Sequence, residues 1–111
     1  MHRTVSVFYC FAHEDRAFQQ ELELHLAGLR HRKEIKTWGY ETGILPGADW
    51  RKCIEQQLNT AEIVLLLLSP DFLNSEFCFY EMERALARSQ AQEAAVIPIL
   101  LRPCLWSDSP I

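Results

Sequence analysis

Ile63-Val64-Leu65-Leu66-Leu67-Leu68-Ser69-Pro70-Asp71 is the stretch that decides the fold. Six successive apolar residues bounded by polar ones are far too few to cross a bilayer, and they suit a strand rather than a helix. A strand without polar alternation has both faces covered, as in a parallel sheet sandwiched between helices. Downstream, Ser69-Pro70 carries the N-cap and N1-proline signature of a short helical turn. Ser75 then restarts the chain into a longer helix that runs to about Gln90. Upstream, Val5-Ser-Val-Phe-Tyr-Cys-Phe11 reads as a first strand. Phe18, Leu22, Leu26 and Leu29 mark an amphipathic helix. Ile35 to Tyr40 suits a second, more exposed strand, and Glu41-Thr-Gly-Ile-Leu-Pro-Gly47 a loop. Trp50, Cys53, Ile54, Leu58 and Ala61 give another core-facing helix. Val96 to Leu101 is the fourth strand, and Pro98, lacking a ladder donor, puts it at an edge. The alternation predicts a single domain over 1–111. Its fold is α/β, a flavodoxin-like three-layer α/β/α arrangement around a parallel sheet of order 2-1-3-4.

Composition narrows the function classes. The chain has 111 residues and a formal net charge of -4, with Lys and Arg scattered, so neither nucleic acid nor an anionic membrane surface is an expected partner. The N-terminus lacks a basic-then-apolar signal segment, and a cytoplasmic location is expected. Cys10, Cys53, Cys78 and Cys104 are widely separated, so reduced thiols are expected rather than a disulfide framework. Cys10-x-x-His13 is half of a zinc pattern without a second half, and no metal is expected.

The chemistry concentrates in Asn74-Ser-Glu-Phe-Cys-Phe-Tyr-Glu-Met-Glu-Arg84. Phe77 and Glu81 stand one helical turn apart on one face. Cys78, Met82, Ala85 and Leu86 form the adjacent apolar stripe, so Glu81 lies at the edge of the buried face. In a sheet of order 2-1-3-4 the ligand crevice opens between strands one and three. Residues 11–16, the 39–47 loop and the segment from Ser69 into the Glu81 helix would line it.

These segments resemble a TIR (Toll/interleukin-1 receptor) domain from about Val5 to Trp106. Val7-Phe-Tyr-Cys-Phe-Ala-His-Glu-Asp15 is similar to the family's first box, and Trp38 to Trp50 to its second strand and BB loop. Ala61 to Ser69 with Phe72-Leu-Asn-Ser75 resembles the third strand and its exit. Ser75-Glu-Phe-Cys-Phe-Tyr-Glu81 matches S-x-W-C-x-x-E, and Ile97-Pro-Ile-Leu-Leu-Arg-Pro103 the closing strand. Tyr40 stands where many bacterial members carry Asp, and Phe77 where Trp is usual. The family continues with a fifth strand and a final helix, so the resemblance implies a C-terminally incomplete domain.

Many members hydrolyse or cyclise NAD+, which is then substrate rather than cofactor, and the family's catalytic glutamate falls on Glu81. A single carboxylate suffices for this reaction. The leaving nicotinamide departs neutral from a cationic ring and needs no general acid, unlike ordinary glycosides with their two carboxyl groups. One anion remains to stabilise the oxocarbenium-like ribose. The alternative is a helix-surface Glu paired with Arg84. By the same resemblance Phe77, Phe11 and Trp38 surround the base or ribose, with core packing as the other reading of Phe77 and Trp38. Ala12 and His13 would offer backbone N–H groups to the diphosphate, though a plain turn accounts for His13 equally well. Glu41, Gly43 and Gly47 lie on the BB loop, which gates the pocket and mediates assembly with other TIR domains. The implied role is a bacterial defence or signalling effector controlled by self-association. Rival readings are a non-catalytic TIR module, a response-regulator receiver, and a thiol hydrolase built on Cys78 and His13.

Overall fold

The computed structural model describes residues 3–39 and 50–103, residues 50 and 51 by backbone alone. The expected apolar run forms β3 (Ile63–Leu68), and its last five residues are buried. β1 (Val5–Cys10) and β3 are the inner strands, flanked by β2 (Ile35–Trp38) and β4 (Ala95–Leu100) in the order β2-β1-β3-β4. Every pairing is parallel, with Val7 opposite Ile63, Val5 opposite Ile35 and Leu66 opposite Pro98. This is the flavodoxin-like topology expected from the order of elements.

Alternation along β1 divides the core in two. Phe8, Cys10 and Ala12 join Val64, Leu66 and Leu68 on one face. That face packs on α3 (Trp50–Thr60), α4 (Pro70–Asn74) and α5 (Glu76–Gln90) through Ile54, Leu58, Phe72, Cys78, Met82 and Ala85. Val7, Tyr9, Phe11, Leu65 and Leu67 form the other face, against Leu22 and Leu26. Those two leucines lie on α1 (Arg16–His25) and at its junction with α2 (Ala27–His31).

The helix expected over Phe18 to Leu29 is thus two helices. Leu26 leaves helical geometry at φ -91°, ψ 2°, while the Leu26 and Arg30 amides, bonded to the Leu22 and Leu26 carbonyls, carry the ladder across. Phe18, expected on the buried stripe, is 43% exposed. It belongs to α1's first turn, and the stripe meets the sheet only from Leu22 onward.

The caps follow the sequence. Ser69 Oγ accepts from the Phe72 amide at 3.1 Å with Pro70 at N1, and Ser75 Oγ accepts from the Cys78 amide at 3.2 Å. Pro98 also sits where its ring is tolerated. Ala95 and Leu101 donate to the Glu62 and Leu68 carbonyls, and the two-residue alternation turns the Pro98 nitrogen toward the open edge.

Beneath α1 lies a polar cluster with no counterpart in the sequence reading. Glu23 Oε1 accepts from Thr37 Oγ1 at 2.6 Å and pairs with Arg30 Nε at 2.9 Å. The Tyr9 hydroxyl faces the same carboxylate, short of full hydrogen-bond geometry. Burial first, and Glu23 second, push the Tyr9 phenol well above its ordinary value. Its proton is held more tightly folded than unfolded, so the associated stability is present below about pH 10 and is lost as pH rises beyond it. Urea unfolding across alkaline pH is expected to show this loss in the parent chain, and Tyr9→Phe is expected to remove that component.

Both α2 and α5 end in a left-handed residue that is not glycine, Lys33 at φ 59° and Gln92 at φ 61°. In α5 the Gln92 amide bonds to the Ser89 carbonyl and the Glu93 amide to the Arg88 carbonyl, the paired bonds of a Schellman end. Gln92→Gly is expected to raise unfolding stability by about 0.5–1 kcal/mol in urea melts, by relieving the left-handed strain.

Candidate active site

α5 is positioned by its cap and by one side of its surface. The Ser75 cap starts the helix, and Cys78, Met82 and Ala85 are buried at helical spacing. Glu81 shares that buried flank and is only 1% exposed. At the C-terminal end of β1, the equally buried Cys10 Sγ donates to Glu81 Oε1 at 3.3 Å. Strand end and helix are thereby joined at one carboxylate. The surface pairing of Glu81 with Arg84 is not what forms, because Arg84 Nη2 instead donates to Asn59 Oδ1 at 2.8 Å.

Glu81 lines a cleft of about 540 Å³ between α3 and α5, with Ile54, Glu55, Leu58, Glu76, Phe77 and Tyr80. Its two helical walls are fastened at three successive turns of α5. Tyr80 Oη donates to Glu55 Oε1 at 3.3 Å, Arg84 bonds Asn59, and Arg88 Nη1 reaches the Leu58 and Ala61 carbonyls at 2.6 and 2.7 Å. Arg88 therefore satisfies carbonyls at the C-terminal end of α3, where a cation is also favoured by the helix dipole.

The expected pair, Phe77 and Glu81, comes together in this cleft. The other candidates lie elsewhere. Phe11 packs in the α1-side core. Ala12 is buried on the α5 side, and His13 is exposed. Ala12 and His13 do not open a long helix: a three-residue 3-10 turn, His13–Asp15, precedes α1, and the Asp15 amide is taken by the Ala12 carbonyl at 2.9 Å. Trp38 stacks on Phe8 with ring centroids 5.4 Å apart and planes 12° apart, which is core packing. Glu41, Gly43 and Gly47, with Tyr40, lie outside the described residues. The α3 contribution to the cleft was not anticipated, although Ile54 and Leu58 stand at i, i+4 spacing on its apolar stripe.

A second group ties the strand ends together. Buried Asp15 accepts from the Ser69 hydroxyl. Arg102 Nη2, just beyond β4, donates to Asp15 at 3.0 Å and to Asp71 at 2.6 Å. One guanidinium thus links the exits of β1, β3 and β4. The sequence places no two of these four residues within one turn except Ser69 and Asp71.

Cys10, Cys53 and Cys78 are thiols. Among the described residues no group of three or more His, Cys, Asp or Glu side chains gathers as a metal site. None of the described helices is long and apolar enough to cross a membrane.

Comparison with known proteins defines the class. The family model described as a TIR domain matches residues 7–110, and the chain belongs to the TIR domain family. The crystal structure of the TIR domain of the Toll-related receptor TRR-2 from Hydra magnipapillata superposes with a TM-score of 0.72 at 26% identity, covering 92% of this chain and 78% of that one. The chain is 41% identical over 106 residues to the uncharacterised protein y4lF of Sinorhizobium fredii. It is 28% identical over 93 residues to the NAD(+) hydrolase TcpA of a Theionarchaea archaeon. These matches take in 95% and 84% of this chain but only 32% and 27% of the two relatives, so the chain spans about a third or less of their length.

Asp15→Ala removes the acceptor of both Ser69 and Arg102. It is expected to lower unfolding stability by about 1–3 kcal/mol in urea titrations, with the secondary structure seen by circular dichroism retained.

Proposed function

We propose that this TIR domain cleaves the nicotinamide–ribose bond of NAD+, with Glu81 as the catalytic residue. The observation that carries the reading is a carboxylate buried to 1% exposure that nevertheless lines a cleft, beside the aromatic ring of Phe77. Burying a carboxylate is costly unless it is held by polar partners, and a protein interior makes its field far stronger than in water. The likeness to the NAD(+) hydrolase TcpA supports the same reading.

In the reaction the C1′–N bond of the ribosyl pyridinium breaks and both electrons leave with the nitrogen, so nicotinamide departs neutral. Positive charge develops on C1′ and the ring oxygen. The Glu81 carboxylate stabilises that charge and accepts hydrogen bonds from ribose hydroxyls. Phe77 covers the pyridinium or the ribose and limits water to the face of attack. Water oxygen then bonds C1′ and its proton passes to solvent, giving ADP-ribose; attack by an atom of the adenine ring would give a cyclic product instead. Assembly with other TIR domains, a cytoplasmic setting and a role in defence or signalling belong to the same proposal.

A second reading is favoured by one observation, the superposition on the TIR domain of a receptor. In it the chain signals by TIR–TIR contact alone and Glu81 is a structural residue. Nicotinamide release from NAD+, measured at high protein concentration or with crowding agents that drive assembly, separates the two. Glu81→Gln is expected to lower kcat on the order of 10²–10³-fold with the fold intact. Equal turnover in parent and variant removes Glu81 from catalysis, and absence of turnover in both selects the signalling module.

A further inference from the structure

The proposed reaction makes no use of the thiol at the end of β1. Cys10 is fully buried, its Sγ lies 3.3 Å from Glu81 Oε1, and the two residues are separated by 71 positions in sequence. A thiol buried against a carboxylate keeps its proton and acts as a weak donor. β1 is an inner strand, so this donor stands on backbone paired on both sides. Glu81 stands on α5, which Arg84 and Arg88 fasten to α3. The Sγ–Oε1 bond restrains the rotation of the carboxyl group and sets Oε1 toward the strand.

We infer that Cys10 is a positioning residue for the proposed NAD+ cleavage, its S–H···Oε1 bond restraining the Glu81 carboxyl group where α5 meets the end of β1. The inference rests on the catalytic reading of Glu81 for its kinetic consequence but not for the bond itself. A weak donor orients the carboxylate while withdrawing little of its charge, and that charge is what the oxocarbenium requires. The other titratable side chains lining the cleft are Glu55 of α3 and Glu76 and Tyr80 of α5, two of them acids that disfavour the charged form of Glu81. A donor at Oε1 opposes them.

Three variants separate positioning from packing. Cys10→Val fills the site and keeps β-propensity without a donor, Cys10→Ala removes the donor without overfilling the site, and Cys10→Ser keeps a donor. Nicotinamide release by Cys10→Val and Cys10→Ala is expected to show kcat lowered on the order of 10- to 100-fold with KM nearly unchanged, whereas Cys10→Ser recovers most of it. The acidic limb of the kcat profile is expected to move to higher pH in the two donor-free variants, since the charged carboxylate has lost a hydrogen bond. Independently of turnover, the carboxyl carbon of Glu81, followed by NMR, is expected to titrate at higher pH in folded Cys10→Val than in the parent chain. Unchanged kcat and unchanged Glu81 titration in folded Cys10→Val overturn the inference. So does a serine variant as impaired as the valine one. Where the NMR midpoint moves but no chain turns over NAD+, the bond stands and the catalytic reading falls.

Discussion

β3 has to be covered on both faces, and the rest of the molecule follows from that constraint. Val64, Leu66 and Leu68 need one apolar layer, and Leu65 and Leu67 another. Burying each such side chain contributes roughly 1.5–3 kcal/mol, so neither layer is optional. Sheet order puts β1 beside β3, and the alternation of β1 then feeds Phe8 and Cys10 into one layer and Val7 and Tyr9 into the other. α5 satisfies the first layer through Cys78, Met82 and Ala85. Glu81, one residue before Met82, is carried into the same layer by the helix period.

A carboxylate drawn inside in this way is the place where the fold departs from its own packing logic. An apolar residue at position 81 would suit the layer of Phe8 and Leu66 better, and such replacements of buried ionic groups often leave a protein equally or more stable. The acid is retained amid supports: the Cys10 thiol on one side, and on the helix itself the fastening of α5 to α3 by Tyr80, Arg84 and Arg88. The same fastening keeps the cleft walls at a fixed spacing. A rigid pair of walls around one oriented anion is what electrostatic stabilisation of a developing cation requires.

Local signals were legible in the sequence because they depend on near neighbours. Ser69 and Ser75 cap helices through amides three residues on, Pro98 is limited by its own missing donor, and the Ile63–Leu68 run needs no partner to be read as doubly covered. Glu81 was legible for the same reason, its distance from Cys78 and Met82 being fixed by helix geometry. What escaped was decided by distant groups. The break at Leu26 is invisible in an apolar spacing that continues across it. Phe11 was expected around the ligand from its place after β1, and alternation puts it in the layer of Tyr9 and Leu67. Asp15, Ser69, Asp71 and Arg102 meet only because parallel strands bring their exits to one end of the sheet. Cys10 looked like a buried thiol, and only the meeting of β1 with α5 gives it a carboxylate.

That Glu81 and Phe77 together receive the ribosyl-pyridinium end of NAD+ is tested most directly by NMR titration of the labelled chain with NAD+. Methyl resonances of Ile54 and Leu58 and ring resonances of Phe77, all lining the cleft, are expected to shift in a saturable way. Those of Leu22 and Leu26, in the opposite layer, are expected to stay in place. Saturable shifts confined to the α1 side of the sheet, or no shift anywhere at millimolar NAD+, contradict the assignment of the cleft.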